Sequence, residues 1–317
     1  MIIPCPENLS PKDFVKYPLT MTLVVLNIFI FFLIFSGPAS KMESSKILET
    51  DGMITTGRLY YQYLQKLSPT ALAEKPDWAH RLQSSNIEQM TLLGAYALRD
   101  ATFLEKAEKL PFHGDQVQIA SWRTEVESFR NEYKQQLLFR FGLSSLEKGP
   151  LSWITYQFSH STVVHLLSNI LFLIVVGAAV EALAGSGILL VVYILGGVAG
   201  GLGFLISQTH GTVPMVGASA SISALLAFYC VAQVKPRIRY FYFISPIAGY
   251  FGFIFLPTLL FFPLFLVVDV ANLMATPEGL GSGIAYAAHL GGTVFGLLFG
   301  LGYRRGLMTH SAILTKP

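Results

Sequence analysis

Gly217-Ala218-Ser219-Ala220-Ser221 stands at the mouth of an apolar stretch that runs to about Val234. Seventy residues after Ser219, Ala288-His289-Leu290-Gly291-Gly292 lies inside a second apolar stretch. Polar side chains are costly in hydrocarbon, so a serine and a histidine held there suggest a nucleophile and its base. Ser219 is about 16 residues from Lys235, which at ~1.5 Å per residue makes ~24 Å, short of a ~30 Å hydrocarbon core. Ser219 is therefore expected below one membrane surface, at the end of a cavity opening outward. Loop 208–216 would dip toward it, a backbone tolerated only against protein or water.

Composition agrees with a membrane setting. Of 317 residues, 52% are hydrophobic and 13% charged, about half the usual charged share. That pattern marks a polytopic membrane protein, and a net charge of +3 is too small to suggest nucleic-acid binding. Cys5 and Cys230 are read as free thiols, without metal-ligand spacing. Residues 41–150 carry 14 Lys/Arg and 14 Asp/Glu, which is 28 of the 41 charges. A polar segment is thus inserted into an apolar chain.

In order, 1–17 is a cytoplasmic tail and 18–36 a first transmembrane helix. No apolar core with a small-residue cleavage site marks a removable signal peptide. Residues 37–150 are expected to form an extracytoplasmic helical loop domain. Within it, Trp122, Val126, Phe129, Tyr133 and Leu137 make one apolar face of a helix over 116–143. Shorter patterns at 59–64 and 87–104 offer partners for that face. Residues 151–305 contain five further spans: 166–184, 188–206, 219–234, the proline-interrupted 240–271, and 284–303. A short cytoplasmic tail, 306–317, follows. Three basic clusters (Lys12 and Lys16; Lys235, Arg237 and Arg239; Arg304, Arg305 and Lys316) fall on one side only with six spans, and that side is cytoplasmic.

Helical faces bring the two polar residues together. Ser219, Ser223 and Ala227 share one face, and His289, Gly292, Gly296 and Gly300 another. A Gly-x-x-x-Gly face is a close-approach surface, and small residues opposite it are its natural partner. A third constellation, His160, His165 and Asn169, opens the second span, with His165 and Asn169 at i, i+4. A suitable histidine tautomer and an asparagine amide both supply N–H donors for an oxyanion. A metal site is the competing reading, which would want a carboxylate or third ligand nearby and no Asn.

Phe158-Ser159-His160-Ser161-Thr162-Val163-Val164-His165-Leu166-Leu167-Ser168-Asn169 closely resembles the rhomboid intramembrane serine proteases. Glu181 followed by Gly185, Gly217-Ala218-Ser219, and Ala287-Ala288-His289-Leu290-Gly291-Gly292 with Gly296 resemble further motifs of that family, in the same order. The resemblance covers about 150–305 and the first span. It implies an all-α polytopic fold, a six-transmembrane-helix bundle with a large helical first-loop domain. It implies Ser219 as nucleophile, His289 as general base, and His165, Asn169 and the Ser219 backbone N–H as oxyanion hole. His160, Gly217, Gly292 and Gly296 would support them. The chain departs from the pattern at Ala220, where glycine often follows the nucleophile, and at Ser223, where an aromatic ring often stacks beside the base. Ile154 stands where some members carry arginine after the first-loop tryptophan.

Outside the tail and the large loop the acids are Glu181, Asp269 and Glu278, and no motif places one beside His289. A Ser–His dyad, not a triad, is expected. The expected activity is serine endopeptidase action on membrane proteins with a transmembrane segment, within a lipid bilayer, with no metal, cofactor or nucleic acid. Compactness and the lack of an organelle-targeting segment suggest a bacterial inner membrane. The alternatives are an inactive relative that binds membrane clients, and a transporter, which an internal repeat would favour.

Overall fold

The computed structural model describes residues 2–4, 16–36, 46–73, 75, 78, 85–135, 137–144, 149–207, 214–233, 237–243, 245, 247, 250–257, 267, 269–271 and 285–314. Residues 208–213 of the expected loop 208–216, residues 272–283, and Cys5, Lys12, Lys235, Glu278 and Lys316 lie outside them. The chain is mostly helical. In order it forms β1 (Ile2–Pro4), α1 (Pro18–Ser36), α2 (Thr50–Leu64), α3 (Pro69–Ala73), α4 (Ile87–Ala97), α5 (Ala101–Lys106), α6 (Gln116–Gln135) and α7 (Leu137–Phe141). Then follow α8 (Ser152–Thr155), α9 (Val163–Phe172), α10 (Ala178–Ser207), α11 (Ser219–Ala232), β2 (Arg237–Phe243), β3 (Phe251–Pro257) and α12 (Tyr286–Leu314).

Among the described residues, two helical segments are long and apolar enough to cross a membrane, Pro18–Ser36 and Val163–Ser207. The second joins α9 to α10 through a π-helical turn, and non-helical backbone at Gly185 (φ 81°, ψ 167°) divides it into two arms. That break falls where Gly185-Ser186-Gly187 was expected to separate two spans. The α1 helix is fastened by its start. Glu181 accepts from the Leu19 and Thr20 backbone N–H groups at 3.0 and 2.9 Å and from the Thr20 hydroxyl at 2.7 Å. A carboxylate at a helix N-terminus satisfies otherwise orphaned donors and favours the positive end of the dipole.

The interior of the apolar bundle forms around α11, whose residues from Ala220 to Ala232 are all buried. The α12 helix lies directly on it. A Cβ built on Gly292 would sit 2.1 Å from the Ala220 carbonyl oxygen, and one on Gly296 2.1 Å from that of Ala224. The glycine stripe therefore packs on α11 as a close-approach face. Its partners are Ala220, Ala224 and Phe228, one residue around from the Ser219, Ser223 and Ala227 face that the sequence suggested. Ser219 stands at the margin of this seam, and so keeps some exposure.

One expected span is overturned. Tyr240 to Pro257 is not helical: β2 and β3 pair antiparallel from Arg237↔Pro257 to Phe243↔Phe251, and β1 adds to the other edge of β2, with Ile3 opposite Phe241. The fold is accordingly not all-α. The segment is dense in Tyr, Phe and Ile, which favour strands, and Pro246 and Gly249 in the connection interrupt a helix. The Arg239 guanidinium lies 4.3 Å from the centre of the Phe253 ring, stacked across the hairpin.

The inserted polar segment has a core of its own. Tyr60, Met90, Leu93 and Phe103 are buried there with Trp122, Val126 and Phe129 of α6. Trp122 Nε1 donates to Thr56 Oγ1 at 2.8 Å, so its apolar body is buried with its polar atom satisfied. The apolar face of α6 thus packs on α2 and its neighbours, as the sequence suggested; residue 136, between α6 and α7, lies outside the described residues. The side chain of Tyr133 lies outside the description. Asn86 and Asp100 cap α4 and α5, accepting from Gln89 N and Phe103 N at 3.0 and 3.2 Å.

Candidate active site

Three helices begin at one place. Val163 opens α9, Ser219 opens α11 and Tyr286 opens α12. First-turn N–H groups have no intrahelical partner, and helix dipoles place partial positive charge there. The fold therefore gathers helix N-termini, with their partial positive charge, around the residues that the sequence singled out.

His289 Nε2 lies 2.9 Å from Ser219 Oγ. Both residues are partly exposed. Ser221, two positions on, is fully buried and donates to Gln157 Oε1 at 3.1 Å, on a different side of α11. Of the two serines, only Ser219 meets the histidine.

The backbone ahead of Ser219 is anchored on both sides. Gly217 N donates to the Tyr156 carbonyl at 2.9 Å, and Tyr156 is itself fully buried. Leu143 and Met215 exchange backbone hydrogen bonds at 2.9 and 2.7 Å. Gly217 has φ 120°, a region that residues with a Cβ rarely adopt, and a Cβ there would sit 2.7 Å from His165 Nε2. Glycine at 217 thus serves two ends. It permits the turn, and it lets the His165 ring come against the loop that carries Ser219.

His165 is set by its neighbours. The Thr162 hydroxyl caps α9 by accepting from His165 N at 3.1 Å, and Ser161 Oγ lies 3.2 Å from His165 Nδ1. In the tautomer in which the Ser161 hydroxyl donates to Nδ1, the ring proton is on Nε2, which faces the Gly217 turn. The His160 ring, fully buried, backs His165 at a centroid distance of 5.1 Å in an edge arrangement. Asn169 is placed differently from the simplest expectation. Its amide donates to the His165 carbonyl of its own helix at 2.8 Å, leaving one of two N–H donors uncommitted.

The sequence reading left out two neighbours of the site. Ser161 was legible as the i−4 partner of His165. Asp269 was legible only as an acid inside an apolar run. Its Oδ1 lies 3.2 Å from His289 Nδ1, where a dyad without a carboxylate was expected. The reason is spatial, since twenty residues separate the two and no spacing rule connects them. The edge of the Tyr286 ring also approaches His289, at a centroid distance of 6.2 Å. Among the described residues, no group of three His, Cys, Asp or Glu side chains is arranged to hold a metal ion.

A family model described as a rhomboid domain matches residues 148–306, half of the chain. That range includes His160, His165, Asn169, Gly217, Ser219, Asp269 and His289. No curated protein matches the chain.

Proposed function

The chain belongs to the rhomboid family, and we propose that it is an intramembrane serine endopeptidase. The observation that carries this reading is the 2.9 Å contact between Ser219 Oγ and His289 Nε2 at the converging starts of α11 and α12. Ser219 Oγ attacks the scissile carbonyl carbon while its proton passes to His289 Nε2. The carbonyl π pair becomes an oxyanion, and collapse of the adduct expels the amine, which takes the proton back from Nε2. Water then repeats the sequence on the acyl-enzyme and releases the acid. The Ser219 N–H, His165 Nε2–H and the second Asn169 amide proton are the proposed oxyanion donors. The Ser161–His165 contact is compatible with the tautomer that this requires.

The substrates are membrane proteins whose transmembrane segment unwinds near the cut, so small and helix-breaking residues are expected there. The proposal keeps both termini and the β2–β3 hairpin on the cytoplasmic side. The membrane is a bacterial inner membrane, with residues 37–150 on its extracytoplasmic side.

Fluorophosphonate labelling of the purified chain tests the assignment. Labelling is expected in the wild type and lost in Ser219→Ala and His289→Ala. A folded wild type that neither labels nor cuts a single-span substrate favours a relative that binds membrane clients without cleaving them.

A further inference from the structure

We infer that Asp269 is a positioning residue for His289, so that the site works as a Ser219–His289–Asp269 triad; this rests on the serine endopeptidase reading above. Three observations carry it. The first is geometry: Asp269 Oδ1 lies 3.2 Å from His289 Nδ1, and the opposite ring nitrogen lies 2.9 Å from Ser219 Oγ. The carboxylate and the hydroxyl thus meet opposite nitrogens of one imidazole.

The second is the setting of the acid. Asp269 is only 6% exposed and sits in the run Leu264-Phe265-Leu266-Val267-Val268-Asp269-Val270-Ala271. Burying a carboxylate among such residues costs several kcal/mol unless a partner repays it. The partner that the structure provides is the His289 ring. Glu181, the other acid described in the membrane region, is held by α1 and Ser186 instead.

The third is the alternative state of the ring. Tyr286 meets His289 by ring contact only, and His165 approaches from α9. Of the groups facing His289 from α9, α11, α12 and the 267–271 segment, Asp269 is the one carboxylate among the described residues. A carboxylate can only accept, so Nδ1 must carry a proton and Nε2 must present its lone pair to Ser219. That is the tautomer a general base needs. When Nε2 takes the Ser219 proton, the ring becomes a cation beside the Asp269 anion. The carboxylate itself gains no proton.

The test uses the full chain in proteoliposomes, with fluorophosphonate labelling and cleavage of a single-span substrate measured across pH. Asp269→Asn offers an amide N–H to Nδ1 and favours the wrong tautomer, so kcat should fall by on the order of 10²–10⁴ with little change in KM. The anion that favours the imidazolium is also gone, so the acidic limb of the kcat/KM profile should move to lower pH. Asp269→Glu should recover part of the rate and keep the acidic limb near its original position. A purely structural Asp269 would move neither the limb nor the KM-to-kcat split.

A monodisperse Asp269→Asn protein with wild-type kcat and an unshifted limb overturns the inference while Ser219→Ala still loses labelling. Ser219→Ala that keeps its labelling removes the endopeptidase reading and this inference with it. If Asp269→Asn does not fold, nitrogen-15 NMR of the wild type decides. Above the ring's titration, a protonated Nδ1 on His289 supports the triad, and a bare Nδ1 overturns it.

Discussion

Leu143 and Met215 exchange both backbone hydrogen bonds, at 2.9 and 2.7 Å, and so tie the end of the inserted domain to the loop that carries Ser219. The contact is tight: a Cβ on the neighbouring Gly142 would sit 2.6 Å from Pro214 Cβ and 3.1 Å from Val216 Cγ1. Gly142→Val should push the 214–217 backbone and slow labelling of Ser219, at a cost in stability of roughly 1–3 kcal/mol for overpacking. In contrast, replacing 46–135 by a flexible linker spares 137–143 and should leave labelling intact. Labelling rates of two monodisperse variants check this. Loss of labelling in the deletion and not in Gly142→Val would reverse the assignment.

Gly217→Ala tests the turn ahead of the nucleophile. The positive φ costs about 1–3 kcal/mol for a residue with a Cβ, and the added methyl would meet the His165 ring. Turnover should fall more than substrate binding does, because His165 is displaced from the proposed oxyanion site. Steady-state kinetics that show a raised KM with unchanged kcat would contradict that.

The inserted domain has a polar centre whose loss should unfold it. Asp100 Oδ2 accepts from Lys75 Nζ and from the Tyr60 hydroxyl, both at 2.6 Å, while Oδ1 caps α5. Lys75 and Asp100 are almost fully buried. Burial, with the Asp100 carboxylate beside it, holds the Tyr60 phenol far above its ordinary range, so it stays a donor. Asp100→Ala leaves the lysine charge unpaired and should destabilise the domain by about 3–5 kcal/mol. Limited proteolysis should then cut within 46–135 first, with Ser219 labelling retained.

Glu181→Ala should loosen α1 from the bundle. Four donors lose their acceptor: Leu19 N, Thr20 N, the Thr20 hydroxyl and the Ser186 hydroxyl. Hydrogen bonds to a charged group contribute roughly 1.5–3 kcal/mol each, and loss of several should lower the thermal midpoint in detergent. Labelling at low temperature should survive, since Glu181 does not touch Ser219 or His289. An unchanged midpoint would remove the fastening role.

The sequence made the site legible where function demands a short local pattern. His160, His165 and Asn169 stand together at one helix start, and Gly217 stands two residues before Ser219, so local spacing and the motif resemblance grouped them. The glycine stripe on α12 announced close packing, although not which residues of α11 would receive it, because a shift of one residue changes little in composition. The apolar face of α6 was readable for the same periodic reason. Two features were not readable. An aromatic run such as Tyr240 to Phe255 is apolar enough for a span and has the residue types of a strand, and only its pairing with Ile2–Pro4 and with itself separates the two. Asp269 reaches His289 by tertiary folding, which no interval along the chain reveals.

The most direct measurement is cleavage of a single-span substrate by the purified chain in proteoliposomes, with the products identified by mass. Ser219→Ala should abolish both products, and Ser221→Ala, whose hydroxyl faces Gln157, should retain most of the wild-type rate. Products that persist in Ser219→Ala, or that vanish only in Ser221→Ala, would contradict a nucleophilic Ser219.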